Sequence, residues 1–124
     1  MKPSNRPLSP HLQAYKLPLT GIISITHRMT GTVLSVGLLF FVYSFCAIST
    51  GTESYTSLQN LVNNPFVSVI LTLFIYALFF HFCHGIRHLM WDVGSTFDKD
   101  TMDKYAIIEL VASVILTFFA LIFI

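Results

Sequence analysis

Three long apolar runs, separated by two short polar stretches and preceded by a polar, proline-rich tail, organise this chain. The runs extend from about Thr20 to Ile48, from Phe66 to Trp91 and from Tyr105 to Ile124. At ~1.5 Å of rise per helical residue each can cross a hydrocarbon core of ~30 Å, so the pattern predicts three transmembrane helices. Ser49 to Pro65 holds Gly51, Glu53, Asn60, Asn63 and Asn64 and is expected to be a loop. Asp92 to Lys104 is expected to be a second, charged loop. Within residues 1–19 fall Pro3, Pro7, Pro10 and Pro18, with Lys2, Arg6 and Lys16. Proline removes backbone donors and disfavours helix before it, so the tail is expected to be extended. The fold class expected is an all-α membrane protein: a tail over 1–19 and a three-helix anchor over 20–124.

Composition agrees with the pattern. Of 124 residues 54% are hydrophobic and 10% charged, against ~25% charged in an average soluble domain. Between Met29 and Ile86 the single Asp, Glu, Lys or Arg is Glu53, a distribution that no water-soluble surface tolerates. A net charge of +1 supplies no basic face, which argues against nucleic acid as a partner. Cys46 and Cys83 both lie in apolar runs, with no CxxC or CxxCH, so neither a zinc ribbon nor covalently attached haem is indicated.

Positive charge orients the spans. The tail carries three Lys or Arg, the first loop none, and the second loop Lys99 and Lys104. The tail and second loop should therefore face the cytoplasm, or the matrix of an organelle. Tyr15, Trp91 and Tyr105 fall where interfacial aromatics belong. The tail has neither the cleavage pattern of a signal peptide nor an Arg-rich amphipathic presequence. The expected location is thus a bacterial cytoplasmic membrane, or a mitochondrial inner membrane if the chain is encoded in the organelle.

An ionisable side chain inside lipid is costly and usually faces a bundle interior, so each one marks a candidate site. In the first span Ser24, His27, Arg28 and Gly31 share an arc of roughly 100°. In the second, His81, His84, Gly85, His88 and Asp92 do the same, with Arg87 about a quarter turn away. His27 lies ~11 Å and His81 ~15 Å from the positively charged side, so the two stripes reach similar depth. Their outer halves carry no charge. A deep imidazole in a dry slot suits an axial ligand of b-type haem, and cations nearer the interface suit its propionates. Ser24 and Arg28 could donate to quinone carbonyls, with Asp92 orienting Arg28 or relaying protons. Read singly, Arg87 is expected to snorkel to the interface and Glu109 to be a snorkelling or helix-start residue.

Two motifs make a resemblance specific. Arg6-Pro7-Leu8-Ser9-Pro10-His11-Leu12 and Ser24-Ile25-Thr26-His27-Arg28-Met29-Thr30-Gly31 resemble the SPHL and S-I-x-H-R-x-[ST]-G motifs of the cytochrome b subunit of succinate dehydrogenase. His81-Phe82-Cys83-His84-Gly85-Ile86-Arg87-His88-Leu89-Met90-Trp91-Asp92 resembles that family's H-x-x-x-G-I-R-H-[LM]-x-x-D. The match covers tail, spans and loop order.

The resemblance implies a membrane anchor that forms a bundle with a second hydrophobic anchor subunit, sharing one haem b with it. It also implies a flavoprotein and an iron–sulfur subunit, which carry FAD and the clusters, and ubiquinone as substrate. By motif position His81 is the axial ligand, with His84 a competing alternative one turn away. His27, Arg28 and His88 fall near the propionates, and Ser24, Arg28 and Asp92 at the quinone. No succinate chemistry belongs to this chain. Two other functions fit the stripes less well: a haem-free structural anchor, and a proton-relay or transport subunit, which would need polar groups in the outer halves too.

Overall fold

The computed structural model describes residues 16–95 and 97–124, all of whose regular structure is helical. The expectations for Arg6, His11 and Tyr15, and for most of the tail, lie outside the described residues. Four helices follow in order: α1 (Leu19–Thr50), α2 (Thr52–Val62), α3 (Pro65–Asp92) and α4 (Lys99–Phe123). Of these, α1, α3 and α4 are long and apolar enough to cross a membrane. This is an all-α membrane bundle.

Two boundaries differ from the sequence expectation. The stretch expected as the first loop contains α2, where Ser54, Leu58 and Val62 recur every four residues and turn one stripe inward. Its polar residues hid that period. Gly51 separates α1 from α2 at φ 123°, a conformation that side-chain-bearing residues rarely adopt. The last helix begins at Lys99, inside the expected second loop. Asp98 caps it: the Thr101 hydroxyl and the Thr101 backbone N–H both donate to its carboxylate, the latter at 3.0 Å. Those two hydrogen bonds, the hydroxyl first, hold the Asp98 carboxyl below the usual carboxylate range. At the start of α3, Asn64 Oδ1 accepts from the Phe66 and Val67 amides, and Pro65 sits where its missing N–H costs nothing.

Helix α3 lies between α1 and α4 and runs antiparallel to both. Along one seam His27 meets His81 and Gly37 faces Phe74; along the other His84 meets Glu109 and Arg87 meets Met102. Lipid gives apolar helices little reason to prefer one another, so association rests on close packing of small residues and on hydrogen bonds. The buried set fits this: Ala47, Ala77, Ala106, Ser113 and Thr117 accompany Ile23, Phe80, His84, Arg87 and Glu109. Ile23, Phe80 and Ala106 form the point where all three spans touch. It lies towards the end of the bundle where α1 begins and α3 ends. Large apolar residues such as Leu39, Phe45 and Phe118 face outward, as a bilayer requires.

Gly37 sets the spacing of α1 and α3. A Cβ there would stand 2.7 Å from Phe74 Cε1 and 2.9 Å from Cδ1. We expect Gly37→Ala to push the helices apart or force the Phe74 ring from its rotamer, at a cost of about 1–3 kcal/mol. The thermal midpoint of the detergent-solubilised assembly checks this, and an unchanged midpoint would contradict the close-packed seam.

Candidate functional site in the membrane

The ionisable residues gather at the end of the bundle where α1 begins and α3 ends, in two adjoining groups on opposite sides of α3.

The first group lies along the α1–α3 seam. His27 and His81 stack face to face, with ring centroids 4.0 Å apart and planes inclined by 17°. His81 Nδ1 is 3.2 Å from the His27 carbonyl oxygen and 3.1 Å from Thr30 Oγ1. A carbonyl only accepts, so this contact puts the proton on Nδ1 and leaves His81 Nε2 with its lone pair. Thr30 in turn donates to the same carbonyl at 2.8 Å. Gly31 keeps the ring's flank clear: a Cβ there would come within 3.1 Å of His81 Cε1. A Cβ on Gly85 would meet nothing, so the backbone beside it is open.

Around this pair His27 also contacts His84, with centroids 4.6 Å apart, and His88 at 5.5 Å. Ser24, His27 and His81 are half-buried; Arg28, His88 and Asp92 are exposed. The residues expected at one site thus share one end of one seam. Arg28 lies at its outer edge and makes no ion pair among the described residues. Trp91 packs edge-on against His88, its half-buried indole leaving Nε1 without a hydrogen-bond acceptor.

The second group lies between α3 and α4, and here two expectations are corrected. Arg87 does not snorkel: it is 3% exposed. Its Nη2 donates to the Met102 carbonyl at 2.6 Å, and its Nη1 stands 3.3 Å from Glu109 Oε2. Nor is Glu109 an interfacial residue. It is 5% exposed and accepts from His84 Nδ1 at 3.0 and 3.2 Å through its two carboxylate oxygens. The physical reason is the same for both. An acid and a base on facing helices can meet each other, which satisfies each without a climb to the surface. Trp91 completes the pocket, with the Arg87 guanidinium 4.8 Å from its ring centroid.

His84 belongs to both groups. Fully buried, it commits Nδ1 to Glu109 and turns an unpartnered Nε2 into the protein. Sequence reasoning missed the Glu109 partnership, although a signal existed. Glu109 is the sole acid in an otherwise apolar run, and His84 and Arg87, three residues apart, share a helix face. Thr30 was also missed as a contact of His81. Both cysteines are free, Cys46 exposed and Cys83 half-buried.

Comparison with known proteins decides the family. Residues 2–120 match the model of the succinate dehydrogenase/fumarate reductase transmembrane subunit. The chain belongs to that family. The succinate dehydrogenase cytochrome b556 subunit of Paracoccus denitrificans is 36% identical over 118 residues, covering 95% of this chain and 91% of that one. The cytochrome b556 subunit of Rickettsia felis is 36% identical over 118 residues, covering 92% and 89%. The mitochondrial cytochrome b560 subunit of Homo sapiens is 36% identical over 114 residues, covering 90% and 68%. As a member of this family the chain is a membrane subunit of an oxidoreductase complex and serves electron transport.

Within this transmembrane subunit the Arg87–Glu109–His84 cluster should dominate the α3–α4 contact. We expect Glu109→Leu to leave a guanidinium and an imidazole buried without their acceptor, a loss of about 3–5 kcal/mol. Pairing Glu109→Gln with Arg87→Met removes both charges while keeping an acceptor for His84, and should recover much of that loss. Thermal midpoints of the solubilised complex separate the two. A double variant as unstable as Glu109→Leu would show that the charge pair is not what holds these helices.

Proposed function

We propose that this subunit binds one haem b jointly with a second hydrophobic anchor subunit and forms part of the site where succinate-derived electrons reach ubiquinone. One observation carries the haem assignment. The hydrogen bond from His81 Nδ1–H to the His27 carbonyl fixes the tautomer whose Nε2 can ligate iron. His84, by contrast, is tied through Nδ1 to Glu109 and buried against α4. His81 is therefore the axial ligand we favour, as its motif position implies, and the relatives' cytochrome b names agree with a haem-binding role. Bound haem b would supply a one-electron centre within reach of the quinone.

The remaining residues have roles that follow from their charge and exposure. Arg28, His27 and His88 can donate to the haem's carboxylates. Ser24 and Arg28 can donate to quinone carbonyl oxygens, and Asp92 can orient Arg28 or hold a proton. An exposed Arg28 on a membrane span calls for cover by another polypeptide, which supports a second anchor packed on this seam. FAD and the iron–sulfur clusters belong to a flavoprotein and an iron–sulfur subunit docked at the tail side. That side is the cytoplasm of a bacterium, or the matrix in a mitochondrion.

Two experiments test this reading. Replacing His81 by Ala should abolish the bis-histidine haem spectrum in a reduced-minus-oxidised measurement on the solubilised complex. His84→Gln should leave that spectrum largely intact, and the reverse result would transfer the ligand role to His84. Separately, Ser24→Ala or Arg28→Leu should lower succinate–quinone reduction at least tenfold while succinate oxidation by a soluble dye persists. Equal loss of both activities would count against a quinone role.

A further inference from the structure

The seam between α3 and α4 carries a notch on the side of α3 turned away from α1. Cys83, Arg87 and Met90 of α3 and Tyr105, Glu109 and Ala112 of α4 line it around a cavity of about 230 Å³. At ~100° per residue, Cys83 and Met90 stand about half a turn around α3 from His81, and no described residue of α1 lines the notch. It shares no residue with the haem and quinone assignments above. Ile86 and Ile108, both exposed, also line it and frame its mouth, so on these spanning helices it opens towards lipid.

The chemistry of the notch points to its occupant. Arg87 is buried, and although its Nη2 donates to the Met102 carbonyl, its Nε has no acceptor. A buried donor left unmet is costly, so Nε marks a place for an oxygen that none of the described residues supplies. The cavity is smaller than the ~300–1,000 Å³ of sites that take whole small-molecule ligands, and its lining is mostly apolar, which suits a length of hydrocarbon chain. Arg87 lies one turn, or ~6 Å, inside Trp91, with Tyr105 on the facing helix. Those aromatics belong at the level of lipid headgroups, which puts Arg87 at the depth of phospholipid ester carbonyls. Nearer the water, the start of α4 carries Asp98, Lys99, Asp100, Asp103 and Lys104, with both signs side by side. Lysines suit a phosphate and carboxylates suit an ammonium, whereas three acids against two bases disfavour a headgroup with net negative charge.

We propose that the α3–α4 notch holds one zwitterionic phospholipid, for which phosphatidylethanolamine is the probe. An acyl chain fills the cavity, an ester carbonyl accepts from Arg87 Nε, and the headgroup lies against the mixed charges at the start of α4.

The test uses the purified complex, washed in detergent and titrated with phosphatidylethanolamine carrying a diazirine on one acyl chain. After irradiation, the labelled residues are located by mass spectrometry. We expect saturable labelling of about one lipid per copy of this chain, on notch residues such as Cys83, Met90 or Ala112. Unlabelled phosphatidylethanolamine should displace the label, and anionic phosphatidylglycerol should do so far less well. Ala112→Phe puts a ring where the chain would lie. Loss of contact for two methylenes is already worth about tenfold, so half-saturation should need about tenfold more lipid. Ile108→Trp, at the exposed mouth, gives the same reading should Ala112→Phe fail to assemble. Label spread along the outward helix faces without saturation would overturn the proposal, as would a notch shielded by another subunit. Labelling undiminished in the variants, or phosphatidylglycerol competing equally, would also overturn it. The haem spectrum and quinone reduction of the same samples report separately on the α1–α3 seam, so failure of one reading leaves the other standing.

Discussion

The architecture at this end of the bundle depends on a carboxylate placed between a guanidinium and an imidazole in the dry seam of two membrane helices. Glu109 meets His84 at 3.0 Å and Arg87 at 3.3 Å, with all three residues at most 5% exposed. In lipid an apolar helix gains little by choosing one apolar neighbour over another. A buried acid and base are different, because separating them strands each in hydrocarbon. The cluster therefore fixes the register of α4 on α3, and the small residues Ala106, Ser113 and Thr117 let the backbones come close enough to sustain it.

Fixing α4 also fixes what α3 presents on its other side. His84 joins both seams, with Nδ1 held by α4 through Glu109 and its ring 4.6 Å from that of His27 on α1. Because the imidazole cannot rotate without breaking its bond to Glu109, its free edge is aimed by α4 rather than by α1. The second constraint is the His27 carbonyl. It accepts from both Thr30 and His81, so a single backbone oxygen sets the tautomer of His81. Each of these histidines is thus oriented by a group on a different helix. A site assembled in that way exists only when all three spans are docked.

Much of this was legible in the sequence because lipid imposes so simple a code. Apolar runs predict the three spans, and helical spacing predicts facing stripes, of which the fold brings His27 and Gly31 against His81 and His27 near His88. Three things were less legible. Leu58 and Val62 carry the inward face of α2, but the surrounding serines, threonines and asparagines read as loop. The cap at Asp98 started α4 before its apolar run began, since capping follows from two or three residues and not from hydropathy. Arg87 and Glu109 each look like a snorkelling residue only when taken without the other. Snorkelling is the usual escape for a single long charged side chain, whereas a partner on the facing helix removes the need to escape, and which helices face each other is a tertiary fact.

That distinction bears on the charges that remain uncovered. Arg87 and Arg28 lie on neighbouring helices, yet Arg87 is buried and paired while Arg28 is exposed and unpaired among the described residues. A chain able to neutralise one arginine internally leaves the other on its surface, beside exposed His88 and Asp92. Lipid is a poor solvent for that patch, and none of the described residues covers it. The same physical rule that explains the closed seam between α3 and α4 therefore makes the α1–α3 seam an unfinished one. Its exposed polar groups call for cover from beyond those residues, which membership of a multi-subunit oxidoreductase complex can supply.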